Sequence, residues 1–547
     1  MAEKATAGGL VYREGKEQVS SALLLRELSS AVAKLSANPQ EAYLGALLRA
    51  GELECALSDA ARDDAIFGAA VIDLIADLAC GVEYSGPAIQ NAQALLVKIS
   101  ASGKLTVSRP EGFAYYALHP LDFADLISAS RIVALAAFVV GIRSIGTTLS
   151  AVVAARLRGM HIPVQRTTVR PFGHPYDRRT EFRPEQRIAI SKALGNGSVF
   201  LICDEGPGRS GSSFLSVADA LEREGLSRER IVLLCSHEPD PEALCAPDAA
   251  ARWRRYRCAA NGMPKRLPPE AGECLGGGEW RRVLIPTGVP WSATWPQLER
   301  LKYLSRDSSA VFKFEGYGPY GETVRRREES LSESRFGLKY LGQTSGFGSH
   351  PLLREPEMSA ADVSPAFLTH MARYCAWRTI QFKTDVSDRH VHQLETMAAT
   401  NLESEFGCLL DLRLPVERLA ICDARMQPSK WRAAGDDSWV KLDASTHGDD
   451  HFFPGPTDIA WDLAGACVEW NLTGQCRQSF LNEYRRASGD KPFTRLPEYE
   501  LAYVAFRLAW CRMAASSVQG TEDETRLLRE YQRYRSAAEL RVKPRGA

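Results

Sequence analysis

The sequence predicts a multidomain protein of mixed α/β class, in which a helical N-terminal region and a parallel α/β domain precede an α+β domain. The chain has 547 residues, more than the ~250–300 at which a single core stops growing, so we expect at least two domains. Short β-branched runs alternate with helical stretches between about residues 105 and 234, which is typical of a parallel sheet. A segment dense in Pro and Gly, about 261–290, interrupts this pattern and is the best domain boundary.

These changes of pattern divide the chain into three predicted regions: a helical region over 1–95, an α/β domain over 96–262 and a C-terminal domain over 263–547. Apolar residues recur at helical spacing in AYLGALLRAG and AVIDLIADLA, which supports the first region. It is expected either to cover the substrate of the α/β domain or to form a dimer interface, so a homodimer is one open expectation.

Composition and charge argue against several classes of protein. Lys plus Arg and Asp plus Glu are equal at 67 each, so no net field attracts nucleic acid or an acidic membrane. The patch RRYR near Arg254 gives only weak support for a nucleic-acid-modifying enzyme. The most apolar run, 132–142, is shorter than the roughly twenty residues of a membrane helix. The cysteines form no CxxC pair, so we expect reduced thiols and a cytoplasmic protein.

The segment VFLICDEGPGRSGSSFLSVADAL combines a hydrophobic strand, two acids, a loop of Gly and Ser, and a helix. Backbone N–H groups in such a loop and at the start of the helix can surround an oxyanion. Asp204 and Glu205 repel phosphate, so they are expected to accept hydrogen bonds from sugar hydroxyls or to hold Mg²⁺. The sequence therefore predicts a site for a phosphorylated sugar. The loop residues predicted to bind it are Gly206, Gly208, Arg209, Ser210, Gly211, Ser212 and Ser213.

This order of residues resembles the type I phosphoribosyltransferase family. The resemblance implies a parallel-sheet domain in which Asp204 and Glu205 contact the ribose diol of phosphoribosyl pyrophosphate and the loop holds its 5-phosphate. The loop departs from the commonest form because it is about one residue longer and carries Pro207 and Arg209.

An earlier strand and turn, FVVGIRSIGTTLSAVVAARL, fits the pyrophosphate loop of the same family. Arg143 is expected to pair with phosphate oxygens, while Ser144, Gly146 and Thr147 form the turn and the helix start. A solvated surface arginine is the alternative for Arg143. The basic stretch QRTTVRPFGHPYDRRTEF lies where the family often has a mobile flap.

A second group of residues lies in the C-terminal region. Lys313 is inside the alternating strand AVFKF, and a helix with Glu328 follows. A strand lysine braced by a helix glutamate is how kinases direct an ammonium group at nucleotide phosphates. Asp423 follows the strand LAIC, and Asp443 follows the strand WVKL. If these strands are neighbours, one acid can orient or deprotonate a hydroxyl while the other holds Mg²⁺.

Together with PGPTDIAWDLAGA, these residues resemble the aminoglycoside phosphotransferase-like kinases over about residues 280–469. The resemblance implies a bilobal kinase-like domain that binds ATP with Mg²⁺, in which Lys313, Glu328 and Asp423 are catalytic and Asp443 binds the metal. The His-Gly that usually precedes the catalytic Asp is missing, and Lys430 stands near the position of the expected metal-binding Asn. A Gly-rich loop of the family's kind is not evident ahead of Lys313.

Two features of this half are open to more than one interpretation. The insertion STHGDDHFF contains His447, Asp449, Asp450 and His451, which either bind a metal or form a solvated turn. Asp462 is expected to stabilise a helix N-terminus rather than to take part in chemistry.

The sequence thus predicts a bifunctional enzyme. The α/β half would transfer a phosphoribosyl group, and the kinase-like half would phosphorylate a small-molecule or nucleoside-like product. The alternative is a ligand-binding regulatory protein whose kinase-like domain is degenerate, as the missing His-Gly and Asn suggest.

Overall fold

The computed structural model describes residues 10–542 except 12, 14, 37–38, 83–85, 131, 133, 263, 386–388, 408, 436–437 and 451. The chain forms two compact units. The N-terminal unit consists of Gly15–Leu267 with Gly316–Glu322, and the C-terminal unit consists of the described residues within 1–14, 268–315 and 323–547. Of the helices described, none combines the length and the apolar character needed to cross a bilayer.

The N-terminal unit begins with a helical part, as predicted. Its elements are β1 (Lys16–Ser20), α1 (Ser21–Ala33), α2 (Pro39–Asp59), α3 (Ala65–Ala79), α4 (Gly86–Leu96), β2 (Lys104–Ser108), α5 (Glu111–Tyr115) and α6 (Pro120–Ala129). β1 and β2 pair antiparallel. The apolar faces of the helices form one buried cluster with Ala151, Val152 and Ala155 of the following α/β part, so the predicted regions 1–95 and 96–262 share a core.

A five-stranded parallel sheet follows, which confirms the predicted sheet type. The elements are β3 (Ala137–Ile142), α7 (Ile145–Gly159), β4 (Val164–Val169), β5 (Phe172–His174), β6 (Asp177–Arg179), α8 (Pro184–Gly195), β7 (Val199–Cys203), α9 (Ser212–Arg223), β8 (Ile231–Cys235), α10 (Ala249–Trp253) and β9 (Arg257–Ala260). The strand order is β4-β3-β7-β8-β9. Because the direction of chain progression reverses between β3 and β7, the ends of these two strands form the crevice where open α/β sheets bind ligands.

The C-terminal unit combines an antiparallel sheet with a helical part. Its elements are β10 (Ala271–Cys274), α11 (Trp280–Leu284), β11 (Lys302–Ser305), β12 (Ala310–Phe314), α12 (Gly318–Ser334, which belongs to this unit from Thr323 onward), β13 (Gly342–Thr344), β14 (Phe347–Pro351), α13 (Pro365–Gln381), α14 (Arg389–Phe406), β15 (Leu419–Ala420), β16 (Trp431–Ala433), β17 (Trp439–Lys441), β18 (Thr457–Asp458), α15 (Ala460–Glu469), α16 (Gly474–Ser488), α17 (Leu496–Ser517) and α18 (Glu522–Val542). The large sheet has the order β10-β11-β12-β14-β13.

The helices of this unit pack around one apolar core. The hydroxyl of Ser364 caps α13 by accepting from the amide of Phe367 at 3.1 Å, which satisfies one of the free N–H groups at a helix start. Buried residues of α13 to α18 form a continuous cluster, with Trp461 and Tyr503 fully inside it. This core holds the loops that follow β15 and β17.

The strands before the two predicted acids are not neighbours. β15 pairs with β18, and β17 pairs with β16, so the expectation of two adjacent strands is wrong. Each strand is only two or three residues long, and the acids come together through the loops beyond the strand ends.

Candidate active site

Lys313 lies on β12 with its side chain buried. Its ammonium nitrogen is 2.7 Å from Oδ1 of Asp443 and donates to the hydroxyl of Thr446 at 2.9 Å. A lysine that is only 6% exposed needs such a counter-charge, because burial of an unpaired ammonium is costly. The structure therefore brings together Lys313 and the predicted metal-binding acid.

Glu328 does not brace Lys313, which corrects the expectation from the sequence. Its carboxylate accepts from the hydroxyl of Ser445 and lies 3.9 Å from Nε2 of His350. It forms a buried group with His350 and Glu315, and burial next to Glu328 raises the pKa of Glu315 to about 7. Asp443 takes the place of Glu328 because its carboxylate is the one within ion-pair distance of Lys313.

Asp443 is the centre of a cationic cluster. Besides Lys313, the ammonium groups of Lys430 and Lys302 lie 3.2 and 3.8 Å from its Oδ2. Burial alone would raise the pKa of Asp443, but the three lysines outweigh burial and hold it well below its usual value. Burial lowers the pKa of Lys430 to about 8 even beside this carboxylate. Asp443 has a φ of 56°, a left-handed backbone that is costly for a residue other than Gly and is common at functional sites.

Asp423 is fully buried behind this cluster. Its carboxylate accepts from the hydroxyl of Tyr374, pairs with Lys441 at 3.0 Å and lies 3.2 Å from Nδ1 of His447. Burial would raise the pKa of Asp423, but Lys441, His447 and Arg378 hold it well below its usual range. An anion enclosed in this way is more suited to holding its neighbours than to contacting a substrate.

His447 connects the two acids. Its Nδ1 faces Asp423, and its Nε2 is 3.8 Å from Oδ2 of Asp443. Burial and the nearby cations hold the pKa of His447 well below its ordinary value, so the ring is neutral near pH 7. A proton on Nδ1 that is donated to Asp423 leaves Nε2 free to accept one.

Asp450 is the acid of the insertion whose side chain the structure describes. Asp450 pairs with Arg425 at 2.9 Å and accepts from the backbone amides of Phe452 and Phe453. His451 and the side chain of Asp449 lie outside the described residues, so the metal-binding alternative for this segment is not supported by the part that the structure describes.

Asp462 holds the loop that carries Asp423. Its two oxygens accept from the backbone amides of Asp423 and Ala424 at 2.8 and 2.9 Å. Asp462 is in the first turn of α15, but its carboxylate binds the amides of the loop. This corrects the expectation that it stabilises the N-terminus of the helix. Burial raises its pKa to about 6.

A cavity of about 920 Å³ opens in front of these residues. Its wall includes Lys302, Lys313, Lys430, Asp443 and His447, but Asp423 is not on it. Apolar side chains line the same cavity, among them Leu275, Leu298, Val311 and Leu352. The volume is within the range of sites that enclose a nucleotide-sized molecule.

The residues present fit a magnesium nucleotide. Asp443 offers a carboxylate at the cavity wall, which is the donor that Mg²⁺ prefers together with phosphate oxygens. Lys302, Lys313 and Lys430 surround that carboxylate and supply N–H donors that suit phosphates. Asp443 would hold the ion, and the lysines would hold the phosphates.

The predicted sugar-phosphate residues lie at the ends of β3 and β7 in the N-terminal unit. Asp204 and Glu205 follow β7 directly, and Arg143 and Ser144 form the turn after β3. An added Cβ on Gly146 would lie 2.4 Å from the carbonyl oxygen of Cys203, so only glycine allows the two turns to touch. The structure thus brings the two predicted loops together at the crevice of the sheet.

The two acids of this crevice are partly buried and form no ion pair within the described ranges. Burial raises the pKa of Asp204 to about 7, against hydrogen bonds from the amides of Glu205 and Gly146. Burial and the charge of Asp204 raise the pKa of Glu205 to about 8. Perturbed acids of this kind are typical of ligand sites.

Other details of the crevice agree with a functional site. Ser144 has a φ of 111° and a ψ of −112°, a strained conformation for a residue with a side chain. The hydroxyl of Thr147 is buried without a partner among the residues the structure describes. Gly211, with a φ of 67°, begins α9 in the left-handed conformation.

Several predicted phosphate contacts have other partners. The hydroxyls of Ser210 and Ser212 donate to the carbonyl of Pro175 at 3.1 and 2.7 Å, so they fasten the turn between β5 and β6. Arg143 pairs with Asp59 at 2.9 Å and also contacts Thr168. Phosphate binding by these three residues stays a prediction, and it requires exchange of these bonds. Gly206, Gly208, Arg209 and Ser213 lie on the loop and at the start of α9, where they are at least partly exposed.

Pattern analysis missed Tyr374, Lys441 and the role of His447. Lys441 interrupts the apolar run WVKL, and a lysine at an inward position of a strand beside an acid is a signal for a buried ion pair. Tyr374 gives no such signal, because aromatic residues are common on the inner faces of helices.

No protein-family model matches the chain, and no curated protein matches it. Solved structures give matches of low identity. The choline kinase LicA from Streptococcus pneumoniae is 12% identical, over 48% of this chain and 96% of that chain, with a TM-score of 0.29. A choline/ethanolamine kinase family protein from Mesorhizobium loti is 15% identical, over 48% of this chain and 98% of that chain, with a TM-score of 0.28. Spectinomycin phosphotransferase APH(9)-Ia, in complex with ADP and spectinomycin, is 12% identical, over 46% of this chain and 92% of that chain, with a TM-score of 0.32. At these values, the function has to be argued from the side chains of the site.

Proposed function

We propose that the C-terminal unit is a small-molecule kinase, which transfers the γ-phosphoryl group of MgATP to a hydroxyl group. The observation that carries this proposal is the position of Asp443 among three lysines on the wall of one cavity. Phosphoryl transfer depends mainly on positioning and on the neutralisation of phosphate charge, and this cluster supplies both.

The residues of the site have separate tasks in this reaction. Lys302, Lys313 and Lys430 bind phosphate oxygens, and the apolar part of the cavity encloses the base. When bound at Asp443, Mg²⁺ would neutralise charge on the phosphates. The acceptor oxygen attacks the γ-phosphorus, the bond between that phosphorus and the β,γ-bridging oxygen breaks, and ADP leaves with the electron pair.

His447 is the group that receives the proton of the acceptor hydroxyl. His447 is on the cavity wall, and because its Nδ1 lies 3.2 Å from Asp423, Nε2 is the nitrogen left to take up that proton. Asp423 is then a positioning residue that acts through His447, and Asp462 acts in turn through the loop amides. This division explains how the chain can work without the usual His-Gly before the acid.

Titration of the full chain with the ATP analogue AMP-PNP and Mg²⁺ tests nucleotide binding. We expect saturable binding to the wild type, and a loss of at least tenfold in affinity for Lys313→Met, because that lysine contacts phosphate. Lys491→Met removes an exposed lysine of the same unit and should bind as the wild type does. Absence of binding to the wild type would rule the proposal out. Binding with no ADP formed from ATP would instead favour a ligand-binding regulatory protein.

A second function is proposed for the N-terminal unit, namely binding of a phosphorylated sugar and phosphoribosyl transfer from phosphoribosyl pyrophosphate. The observation in its favour is the pair Asp204 and Glu205, which has no ion pair among the described residues and lies at the crevice between β3 and β7. Vicinal hydroxyls of a ribose would satisfy such carboxylates. Magnesium-dependent release of pyrophosphate with candidate bases tests this function.

The raised pKa values of these two acids predict a pH dependence of stability. A carboxyl group whose pKa is higher in the folded protein than in the unfolded chain stabilises the fold fully below its unfolded pKa, which is near 4. This contribution is lost as the pH rises through the folded pKa, which is about 7 for Asp204 and about 8 for Glu205. The variants Asp204→Asn and Glu205→Gln should therefore melt about 2–4 °C higher than the wild type at pH 8 but not at pH 4. Scanning calorimetry from pH 4 to 8 measures this, with Glu229→Gln, an exposed acid of the same unit, as control. A gain of the same size at pH 4 would show that ionisation is not the cause.

A further inference from the structure

One end of the cavity in the C-terminal unit is rich in arginine. Arg425, Arg507 and Arg533 line it together with Trp510, and we call this set the arginine end. Arg425 is two residues after Asp423, and Arg507 contacts Gln427 of the same loop in the amide orientation that satisfies both groups, at 3.0 Å. The arginine end therefore contacts the loop that carries Asp423 and so positions His447. In the proposed reaction, the acceptor hydroxyl has to lie next to His447.

The aromatic surface here is covered by the chain's own cations. The guanidinium carbon of Arg507 is 4.6 Å from the ring centre of Trp510, and that of Arg425 is 5.4 Å from it. An aromatic ring attracts a ligand cation through its open face. Because two arginines already lie over this ring, an ammonium ligand would meet positive charge instead.

The acids of this end are already paired. Asp450 pairs with Arg425 at 2.9 Å, while Glu469 and Glu530 each lie 2.7 Å from Arg533. Glu469 also accepts from the hydroxyls of Tyr503 and Tyr534, both at 2.6 Å. These carboxylates have little capacity left for a cationic ligand.

Among the three arginines of this end, Arg425 and Arg533 pair with acids, whereas Arg507 has no carboxylate partner in the described part of the chain. Its contacts include the hydroxyl of Tyr534 at 3.3 Å, the rings of Tyr534 and Trp510, and the side chain of Gln427. It is 7% exposed and lies on the cavity wall. A guanidinium group in such a place has the geometry to bind a carboxylate or a phosphate with two hydrogen bonds.

We infer that the acceptor is a hydroxylated anion, whose carboxylate or phosphate group is held by Arg507 with Arg425 beside it. This inference rests on the proposed kinase function, since it names the class of molecule that receives the phosphoryl group. The hydroxyl of the acceptor then faces His447, and the anionic group stays at the far side of the loop.

Calorimetric titration of the full chain, with and without AMP-PNP and Mg²⁺, tests the inference. The probes are glycerate and glycerol 3-phosphate as hydroxylated anions, and choline and ethanolamine as hydroxylated cations. We expect at least one anion to bind and neither cation to do so; the stronger of the two anions shows whether carboxylate or phosphate is preferred. Arg507→Gln should weaken anion binding by at least tenfold, whereas Arg512→Gln should not. Arg512 is on the same helix but pairs with Glu405.

The results that would overturn the anion inference differ from those that would reject the kinase proposal. Binding of the cations but not of the anions, binding of none of the four probes, or unchanged anion binding in Arg507→Gln would overturn the inference. Absence of AMP-PNP binding would reject the kinase proposal and leave the titrations without nucleotide to decide the class of ligand. If Arg507→Gln does not fold, Arg507→Lys keeps the charge but loses the two-pronged geometry, and it should also weaken the anion by about tenfold.

Discussion

Asp443→Asn is expected to lower the rate of ADP formation by about a thousandfold. The carboxylate is the one acid on the cavity wall that three lysines approach within 4 Å among the described residues. An amide at this position would neither hold Mg²⁺ nor keep the three ammonium groups in one place. The loss should appear mainly in kcat, since the lysines keep their charge and still attract phosphates, although they no longer hold them in the reactive position.

A coupled assay for ADP with the full chain measures this effect. Asp411→Asn is the matched control, because that side chain is 81% exposed and belongs to the same unit. Thermal melting shows whether the variant is folded. Activity of Asp443→Asn within tenfold of the wild type would contradict the assignment of this residue.

Asp423→Asn should destabilise the protein by about 3–5 kcal/mol. The carboxylate of Asp423 and the ammonium of Lys441 are 3.0 Å apart, and both side chains are 0% exposed. Removal of the negative charge leaves Lys441 without its counter-charge at a position that solvent does not reach, so the ammonium has either to stay unpaired or to lose its proton, and both cost free energy. The free energy of unfolding, measured by denaturant titration, reports this cost.

The double variant Asp423→Leu with Lys441→Met separates stability from function. Both charges are absent, so most of the lost stability should return. ADP formation should stay low, because Nδ1 of His447 loses the carboxylate that orients it. A single Asp423→Asn variant that loses less than about 1 kcal/mol would show that the pair is not desolvated as the structure indicates.

The pattern of apolar, polar and charged residues along the chain was enough to predict much of the architecture. Alternating β-branched runs and helices identified the parallel sheet, because strands buried on both faces are continuously apolar. The acids after VFLIC came to the crevice of that sheet because the carboxyl ends of parallel strands meet at one edge. Asp443 and Lys313 were likewise predicted, and they form an ion pair.

Contacts that depend on loop geometry could not be predicted. The pairing of Lys313 with Asp443 rather than Glu328 depends on where α12 places its side chains relative to a loop more than a hundred residues later. The insertion that contains His447 could be interpreted as a solvated turn because its composition is polar. Only the fold shows that His447 lies between Asp423 and Asp443. Arg507 lay in an ordinary helical pattern, where nothing indicates that its charge has no acid beside it.

The function proposed for the cavity around Asp443 is transfer of a phosphoryl group from ATP. Phosphorus NMR of the full chain with MgATP and glycerate or glycerol 3-phosphate follows the reaction directly. We expect the γ-phosphate signal of ATP to decline while signals of ADP and of a new phosphate ester grow together, and we expect neither product signal from Asp443→Asn over the same time. An unchanged ATP spectrum with every acceptor, from a protein that is folded and has been supplied with Mg²⁺, would contradict this proposal.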